Sequence, residues 1–143
     1  MLISQILKAK GDTVFTVLPA DTVAHAAALL DSRRVGALVV SDEEGGVAGI
    51  ISERDVVRVL ARRGAPALSG PVSACMTANV IFAEPTESVD ALLGRMTDRR
   101  IRHLPVCERG KLLGIVSIGD LVKTKIAETE AEARSLKEYI KAG

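Results

Sequence analysis

Two short segments of the chain repeat one pattern of glycine, serine and aspartate. Gly49–Asp55 and Gly114–Asp120 both fit Gly-x-x-Ser-x-x-Asp, and we call them the first ending and the second ending. Their glycines permit a close backbone approach. Their serines stand where a helix is predicted to begin, beside unpaired N–H groups that favour a phosphate. The aspartate follows three residues later, where its carboxylate can accept hydrogen bonds from the vicinal hydroxyls of a ribose. The pattern matches a nucleoside phosphate, but an N-cap serine and a helix-dipole aspartate would explain it without a ligand.

A cationic residue opens one of the predicted strands. Arg102 and His103 begin a strand that continues to Val106. A guanidinium on a strand edge that faces a cleft makes charge-assisted, often bidentate, contacts to phosphate. Two alternatives stay open: Arg102 belongs to a solvated face with Arg99 and Arg100, or His103 is an ordinary packed or exposed histidine.

Catalytic and metal-binding patterns are weak in this chain. The two histidines, His25 and His103, form no local pair with a cysteine, and the chain has no Gly-Lys-Ser phosphate loop. Cys75 and Cys107 suit small buried hydrophobic positions, and metal ligation would need denser clustering. We therefore predict no enzyme, no catalytic cofactor and no metal.

The two endings belong to an internal repeat, which decides how the rest of the chain is interpreted. An offset of 66 residues places Pro19–Val23 on Pro85–Val89, and after a one-residue gap in a loop an offset of 65 places the first ending on the second. At the positions equivalent to Arg102 and His103 the first copy has Gly36 and Ala37. A site there would take its cation from Arg34, from Arg54 or from the other copy, so the sequence predicts unequal sites and leaves open which strand faces which aspartate.

Each copy has the pattern of a β-α-β-β-α unit. Short β-branched runs over 13–17 and 79–83 predict strands, and polar residues (Asp21 or Thr22, then Glu87 or Ser88) predict the N-caps of amphipathic helices. Two strands joined by a hairpin follow in each copy, over 37–40 and 47–51, then over 104–107 and 112–116. Ser52 and Ser117 then begin the second helices.

The repeat also predicts the domain organisation. We expect the first repeat over 1–64, a linker over 65–76 with one helical turn over 73–76, the second repeat over 77–124, and a helical extension over 125–143. A unit of about 60 residues buries too little surface to be comfortable alone. The two repeats should therefore pack sheet to sheet as one pseudo-two-fold α+β (α/β) body.

Composition excludes several function classes. The chain has 143 residues, 48% of them hydrophobic and 26% charged, with a net charge of +1. This balance is globular, and it gives no support to non-specific binding of nucleic acid or of an anionic membrane. The purely apolar runs are far shorter than the roughly 20 residues of a membrane span. Two cysteines make no disulfide framework, so we predict a reduced, cytoplasmic protein.

The last segment predicts one long helix with an uncovered apolar side. Residues 119–141 contain no proline and no internal glycine after Gly119. Apolar positions recur at spacings of four and three residues over Val122, Ile126, Thr129, Ala133, Leu136 and Ile140. The seam favours a homodimer, and a helix packed on its own chain is the alternative.

These features resemble a pair of cystathionine β-synthase (CBS) domains, also called a Bateman module, over about 4–122. The residues that carry the resemblance are Thr16–Pro19 with Thr22 and Val23, the strand Arg102–Val106, and the two endings in register. The chain is similar to the small stand-alone members of that family. In the family the serine contacts phosphate, the aspartate contacts ribose, and adenine lies in an apolar slot against strand backbone.

The resemblance implies an adenine-nucleotide sensor with its ligand in the cleft between the repeats. AMP is the first choice, and ADP, ATP, NAD(H) and S-adenosylmethionine are rivals. We expect Asp120→Ala to remove most of the ligand effect. The predicted binding residues are Thr16, Val17, Gly36, Ala37, Ile50, Ser52, Arg54, Asp55, Arg102, His103, Leu104, Pro105, Ile115, Ser117 and Asp120.

Two other functions stay open at this point. A ligand-free scaffold or regulatory subunit, with an unidentified protein partner, is the main alternative to the sensor. A nucleic-acid binder is a distant third, because the chain has no Trp and only 2% aromatic residues.

Overall fold

The computed structural model describes residues 1–11 and 13–142. Its helices are α1 (Ile3–Lys10), α2 (Val23–Arg33), α3 (Glu53–Arg63), α4 (Val89–Arg99) and α5 (Ile118–Ala142). Its strands are β1 (Thr16–Val17), β2 (Ala37–Ser41), β3 (Val47–Ser52), β4 (His103–Glu108) and β5 (Lys111–Ser117). This mixed α/β architecture is the predicted fold class.

The strands form two small sheets, one in each half of the chain. In the first, β1 lies parallel to β2 and β2 lies antiparallel to β3; in the second, β4 and β5 form an antiparallel pair. Ala37 pairs with Ser52 in the first sheet, and His103 pairs with Ser117 in the second. Both endings thus leave a hairpin strand and enter a helix.

The sequence repeat is also a repeat of local structure. The predicted N-caps are confirmed at Thr22 and Ser88, whose hydroxyls accept hydrogen bonds from backbone N–H groups three residues on. Helices α2 and α4 are each followed by an arginine in the left-handed region, Arg34 at φ 53° and Arg100 at φ 55°. These two turns direct the chain into β2 and towards β4, so they set the direction from which each strand approaches the middle of the molecule.

The first strands of the two units are shorter than predicted. The run 13–17 contains only the two-residue β1, and the strand predicted over 79–83 is wrong, because only Ala83 makes a bridge, to Val106. The reason is a missing donor. In the first half the N–H of Val39 donates to Phe15 (3.3 Å), whereas the residue equivalent to Val39 is Pro105, which has no N–H. The ladder therefore cannot extend before Ala83.

Each core is completed by the segment that precedes the other half. Helix α1 was not predicted, and it buries Ile3, Ile6 and Leu7 in the core of the second half. In return Val72, with Cys75 and Met76, packs into the core of the first half. This exchange ties the two halves together, since neither hydrophobic core is complete without a segment from outside its own repeat.

The linker and the C-terminal helix largely follow the sequence pattern. The linker contains two short 3₁₀ helices, Ala65–Ser69 and Val72–Ala74. The second of them begins one residue before the helical turn predicted over 73–76. The predicted long helix is confirmed as α5, whose side chains are nearly all exposed beyond Thr124. Within residues 1–11 and 13–142 no helix is both long and apolar enough to cross a membrane.

Candidate functional site

The first ending forms a compact cap at the start of α3. Asp55 lies in the first helical turn, and its Oδ2 accepts hydrogen bonds from the backbone N–H of Ser52 (2.9 Å) and from its hydroxyl (3.0 Å). The Ser52 hydroxyl in turn accepts the N–H of Asp55 (3.3 Å). Arg58 Nη1 lies 3.4 Å from Asp55 Oδ1. Asp55 is 7% exposed, so the cap holds a nearly buried carboxylate at the edge of a cleft.

That cleft is a cavity of about 290 Å³ between the two halves. The first half contributes β3, α3 and Gly36, and the second half contributes the segment before its sheet and the beginning of β4. Its lining is Gly36, Ile50, Ser52, Glu53, Arg54, Asp55, Arg58, Thr77, Asn79, Val80, Ile81, Arg100, Ile101, Arg102, His103 and Leu104. The structure therefore answers the question left open by the sequence: the arginine-bearing strand of the second repeat faces the aspartate of the first.

The lining separates into a charged part and an apolar part. The charged lining residues are four arginines (Arg54, Arg58, Arg100 and Arg102) and two acidic residues (Glu53 and Asp55), so the lining carries more positive than negative charge. The apolar lining consists of Ile50, Val80, Ile81, Ile101 and Leu104. A pocket with an apolar wall and a few convergent polar groups is the usual design of a small-molecule site. The positive charge favours an anionic ligand.

His103 lies at the centre of the molecule, against the backbone of the other half. A Cβ placed on Gly36 would come within 2.8 Å of His103 Nε2, so a larger residue there would force the ring to shift. Burial, assisted by the charge of Lys10, lowers the pKa of His103, and Glu53 and Asp120 oppose this effect. The neutral imidazole is therefore favoured in the folded chain.

The second ending has the same cap but a different neighbour. Asp120 Oδ2 accepts the N–H of Ser117 (2.8 Å), and the N–H of Asp120 donates to the Ser117 hydroxyl (3.1 Å). The same Oδ2 also accepts a hydrogen bond from Lys10 Nζ at 2.5 Å. Although desolvation opposes it, the hydrogen bonds from Lys10 and Ser117 lower the pKa of Asp120.

Of the predicted binding residues, the structure gathers eight around the cleft. These are Gly36, Ile50, Ser52, Arg54, Asp55, Arg102, His103 and Leu104. The other seven line neither this cavity nor a second, smaller one beside the linker: Thr16, Val17, Ala37, Pro105, Ile115, Ser117 and Asp120. Arg102 thus lines a cavity with Asp55 and not with Asp120.

Sequence reasoning missed eight of the sixteen residues that line the cleft, and five of them form two groups. The first is the segment that holds Asn79, Val80 and Ile81, which was predicted as a strand although it lines the cavity. The second is the pair of arginines Arg58 and Arg100, which extend the charge on either side of the cleft. A signal existed for Arg58, because it lies one helical turn after Asp55 on the same face of α3.

Thiol and metal chemistry find no assembled site in the described part of the chain. No three His, Cys, Asp or Glu side chains of residues 1–11 and 13–142 lie close enough to hold a metal ion. Cys75 and Cys107 are half-buried free thiols, and burial raises the pKa of each. Their neutral forms are therefore favoured, which suits the packing role predicted for them.

Solved structures of similar chains share this fold. The CBS-domain containing protein ATU1752 from Agrobacterium tumefaciens is 43% identical with a TM-score of 0.85, over 87% of this chain and 92% of that one. A CBS domain protein of Pyrobaculum aerophilum, PAE2072, was solved in complex with AMP; it is 27% identical with a TM-score of 0.75, over 84% of this chain and 89% of that one. The CBS domain pair of protein MJ0100, in complex with 5′-methylthioadenosine and S-adenosyl-L-methionine, is 26% identical with a TM-score of 0.80, over 90% and 98%.

The match to a family model agrees with these structures and with the internal repeat. The CBS domain model matches twice, over residues 11–62 and 72–126, and each match contains one ending. Most of the chain is therefore accounted for by two copies of one domain, and the chain belongs to the CBS domain family as a tandem pair.

Proposed function

We propose that this CBS pair is a regulatory module that binds one adenine nucleotide, AMP, in the cleft between its halves. The observation that carries the proposal is that the buried carboxylate residue Asp55 lines the same cavity as Arg100 and Arg102 of the other half. A diol acceptor, phosphate donors and apolar residues in one cavity match the three parts of a nucleoside monophosphate.

The expected binding mode follows from the chemistry of the lining. The ribose hydroxyls would donate to Asp55, whose Oδ1 has only the long contact to Arg58. The phosphate would lie against Arg100 and Arg102, where bonds to guanidinium are charge-assisted. The base would occupy the apolar side of the cleft, which includes Val80, Ile81 and Ile101.

The charge of the cleft discriminates among the adenosyl ligands. PAE2072 was solved with AMP and MJ0100 with S-adenosyl-L-methionine, so relatives accommodate both kinds of ligand. S-adenosylmethionine carries a sulfonium cation, which the four arginines of this cleft would repel. AMP, ADP and ATP bring negative charge instead. Among these three, AMP is the ligand with which PAE2072 was solved, so AMP is the first ligand to test.

Thermal unfolding tests this proposal. A ligand at 100 times its dissociation constant adds about 2.7 kcal/mol to the free energy of unfolding by mass action. We expect AMP to raise the Tm of the wild-type chain and to raise it much less in Asp55→Ala. Asp120→Ala is the matched control, because it removes the equivalent carboxylate of the other half, and it should keep most of the AMP-induced shift.

Two results would oppose this function. If no adenine compound raises the Tm, the sensor proposal is wrong and the ligand-free scaffold becomes the better account. If Asp120→Ala loses the shift and Asp55→Ala keeps it, the ligand occupies the second ending instead. We propose in addition that the protein is not an enzyme and works in a reducing compartment, the cytoplasm, in keeping with its two free thiols.

We propose that the far end of α5 pairs with a second copy of the chain. Beyond Thr124 the helix extends past both hydrophobic cores, and its apolar residues Ile126, Leu136 and Ile140 are 54%, 61% and 68% exposed. A stripe of this kind is an interaction surface rather than a core. Two-fold pairing is the commonest assembly of soluble homo-oligomers, and each large aliphatic side chain that becomes fully buried contributes about 1.5–3 kcal/mol.

Truncation after Thr124 tests the dimer. We expect the full chain to have twice the chain mass in light scattering at micromolar concentration and the truncated chain to have the monomer mass. Lys137→Ala is the matched control, because it changes a charge outside the apolar stripe. A truncated chain that stays dimeric would place the interface on the repeats instead.

A further inference from the structure

The N-terminal helix holds a lysine on the aspartate of the second ending, whereas the cation near the aspartate of the first ending, Arg58, belongs to α3 itself and makes a longer contact (3.4 Å). Lys10 Nζ donates to Asp120 Oδ2 at 2.5 Å and to the backbone oxygen of Ile115 at 2.8 Å. Asp120 and Ile115 are the repeat equivalents of Asp55 and Ile50, both of which line the cleft. One ammonium group thus satisfies two acceptors. The counterpart of the first, Asp55, lines the cleft, and the counterpart of the second, the backbone oxygen of Ile50, accepts the N–H of Thr77 (2.8 Å).

A difference in chain length explains why the lysine reaches this position. Leu2 bridges to Ser88 and Pro71 bridges to Thr22, which are equivalent contacts in the two halves. Leu2 lies 17 residues before Pro19, whereas Pro71 lies only 14 residues before Pro85, the repeat equivalent of Pro19. The segment before the first repeat is therefore three residues longer, which is nearly one turn of helix.

The extra residues keep α1 helical at the point where the shorter segment unwinds. Leu7 and Met76 are equivalent, since a Cβ on Gly114 would meet the Leu7 side chain at 2.7 Å and a Cβ on Gly49 would meet Met76 Sδ at 2.8 Å. After Met76 the chain extends, and Thr77 exchanges two backbone hydrogen bonds with Ile50 (2.8 and 3.0 Å). After Leu7 the helix continues to Lys10.

We propose that Lys10 closes the second ending, so that the chain binds one nucleotide and not two. This proposal rests on the proposed function, because it treats the second ending as the equivalent of a ligand-binding first ending. Lys10 satisfies the carboxylate that a ribose would need. The segment that should supply phosphate contacts there keeps Arg34, the equivalent of Arg100, but has Gly36 in place of Arg102. A ligand must displace the ammonium from Asp120 and finds one guanidinium in place of the pair.

Removal of the ammonium should reopen the second ending to a nucleoside. We expect the wild-type chain to bind one adenosine per chain and Lys10→Met to bind two. At the second ending, adenosine should bind at least about tenfold more tightly to Lys10→Met than to the wild-type chain, because the ligand no longer has to break a charged hydrogen bond. Lys8→Met removes an exposed lysine from the same helix and should keep a stoichiometry of one. In Lys10→Met, the added Asp120→Asn change should return the stoichiometry to one.

Isothermal titration calorimetry with adenosine and with AMP measures these numbers. A wild-type stoichiometry of two, or a Lys10→Met stoichiometry of one, overturns the proposal. If Lys10 instead gripped a phosphate, Lys10→Met would weaken AMP binding and spare adenosine, which also overturns it. Lys10→Ala provides a second variant should the methionine refill the space.

The contact itself can be measured without any nucleotide, which separates this proposal from the proposed function. In a double-mutant cycle of thermal unfolding, the effects of Lys10→Met and Asp120→Asn on stability should be non-additive, whereas those of Lys8→Met and Asp120→Asn should be additive. Additive effects for Lys10→Met and Asp120→Asn would contradict the proposal that Lys10 closes the second ending. If the wild-type chain binds no adenine compound, adenosine binding gained by Lys10→Met and lost on adding Asp120→Asn still supports it, and no gain overturns it.

Discussion

The two endings of this chain have the same cap and opposite surroundings. In both, the serine and the aspartate hold each other through the same pair of hydrogen bonds at the start of a helix. Around Asp55 the neighbouring half supplies arginines and leaves a cavity. Around Asp120 the chain supplies a lysine that makes direct contact. The motif therefore secures the helix start in both halves, and the residues brought from outside the motif make the surroundings of the two aspartates different.

The difference arises at few positions of a well-preserved repeat. Arg102 and His103 stand where the first half has Gly36 and Ala37, and the segment that contains α1 is three residues longer than its counterpart. The cores themselves remain equivalent: Leu38 and Leu104 occupy matching positions and are 0% and 1% exposed. The two halves therefore share the packing of their cores but differ in the side chains around their endings.

The largest effect should come from the cores, where the two halves should agree. Leu38→Ala and Leu104→Ala each remove a buried aliphatic side chain, and such changes cost about 2–5 kcal/mol. We expect the two variants to lower the free energy of urea unfolding by similar amounts. Val57→Ala, at an exposed position of α3, is the control and should cost far less. A large effect in only one half would show that the packing is not shared.

The fold was more predictable than the site, for a physical reason. Periodicity, N-caps and the repeat predicted the paired strands and the helices of both copies, because those features depend on neighbours in sequence. Helix α1 and the cleft depend on contacts between distant segments: Lys10 meets Asp120 across 110 residues, and Arg102 lines the cavity of Asp55 from the other half. The missing strand before Ala83 was readable from Pro105, since that residue lacks an N–H.

The next effect concerns the phosphate side of the asymmetry. Arg102→Ala should weaken AMP binding by about 1.5–3 kcal/mol, the magnitude of a hydrogen bond to a charged group. Adenosine has no phosphate and should lose little. Arg99→Ala, an exposed arginine outside the cavity lining, is the matched control, and calorimetry with both ligands gives the comparison. Equal losses for AMP and adenosine would mean that the change deforms the beginning of β4.

The smallest effect is a dependence of stability on pH at His103, where the two halves meet. Burial lowers its pKa below the ordinary value of 6.5, with Lys10 and Arg102 acting in the same direction and Glu53 and Asp120 opposing them. A group whose pKa is lowered by folding stabilises the folded chain fully above its unfolded pKa. That contribution is lost as the pH falls from about 6.5 through the folded pKa.

Urea unfolding at pH 7.5 and at pH 5.0 measures this contribution. We expect wild-type chain to lose more stability on acidification than His103→Gln, because glutamine takes up no proton. His25→Gln is the matched control: His25 is exposed on α2, and its variant should lose as much as wild type. The carboxylate of Asp120 does not confuse the comparison, since its lowered pKa keeps it ionised at pH 5.0. If the wild-type chain and His103→Gln lose the same free energy of unfolding between pH 7.5 and pH 5.0, the folded chain does not hold the imidazole of His103 neutral.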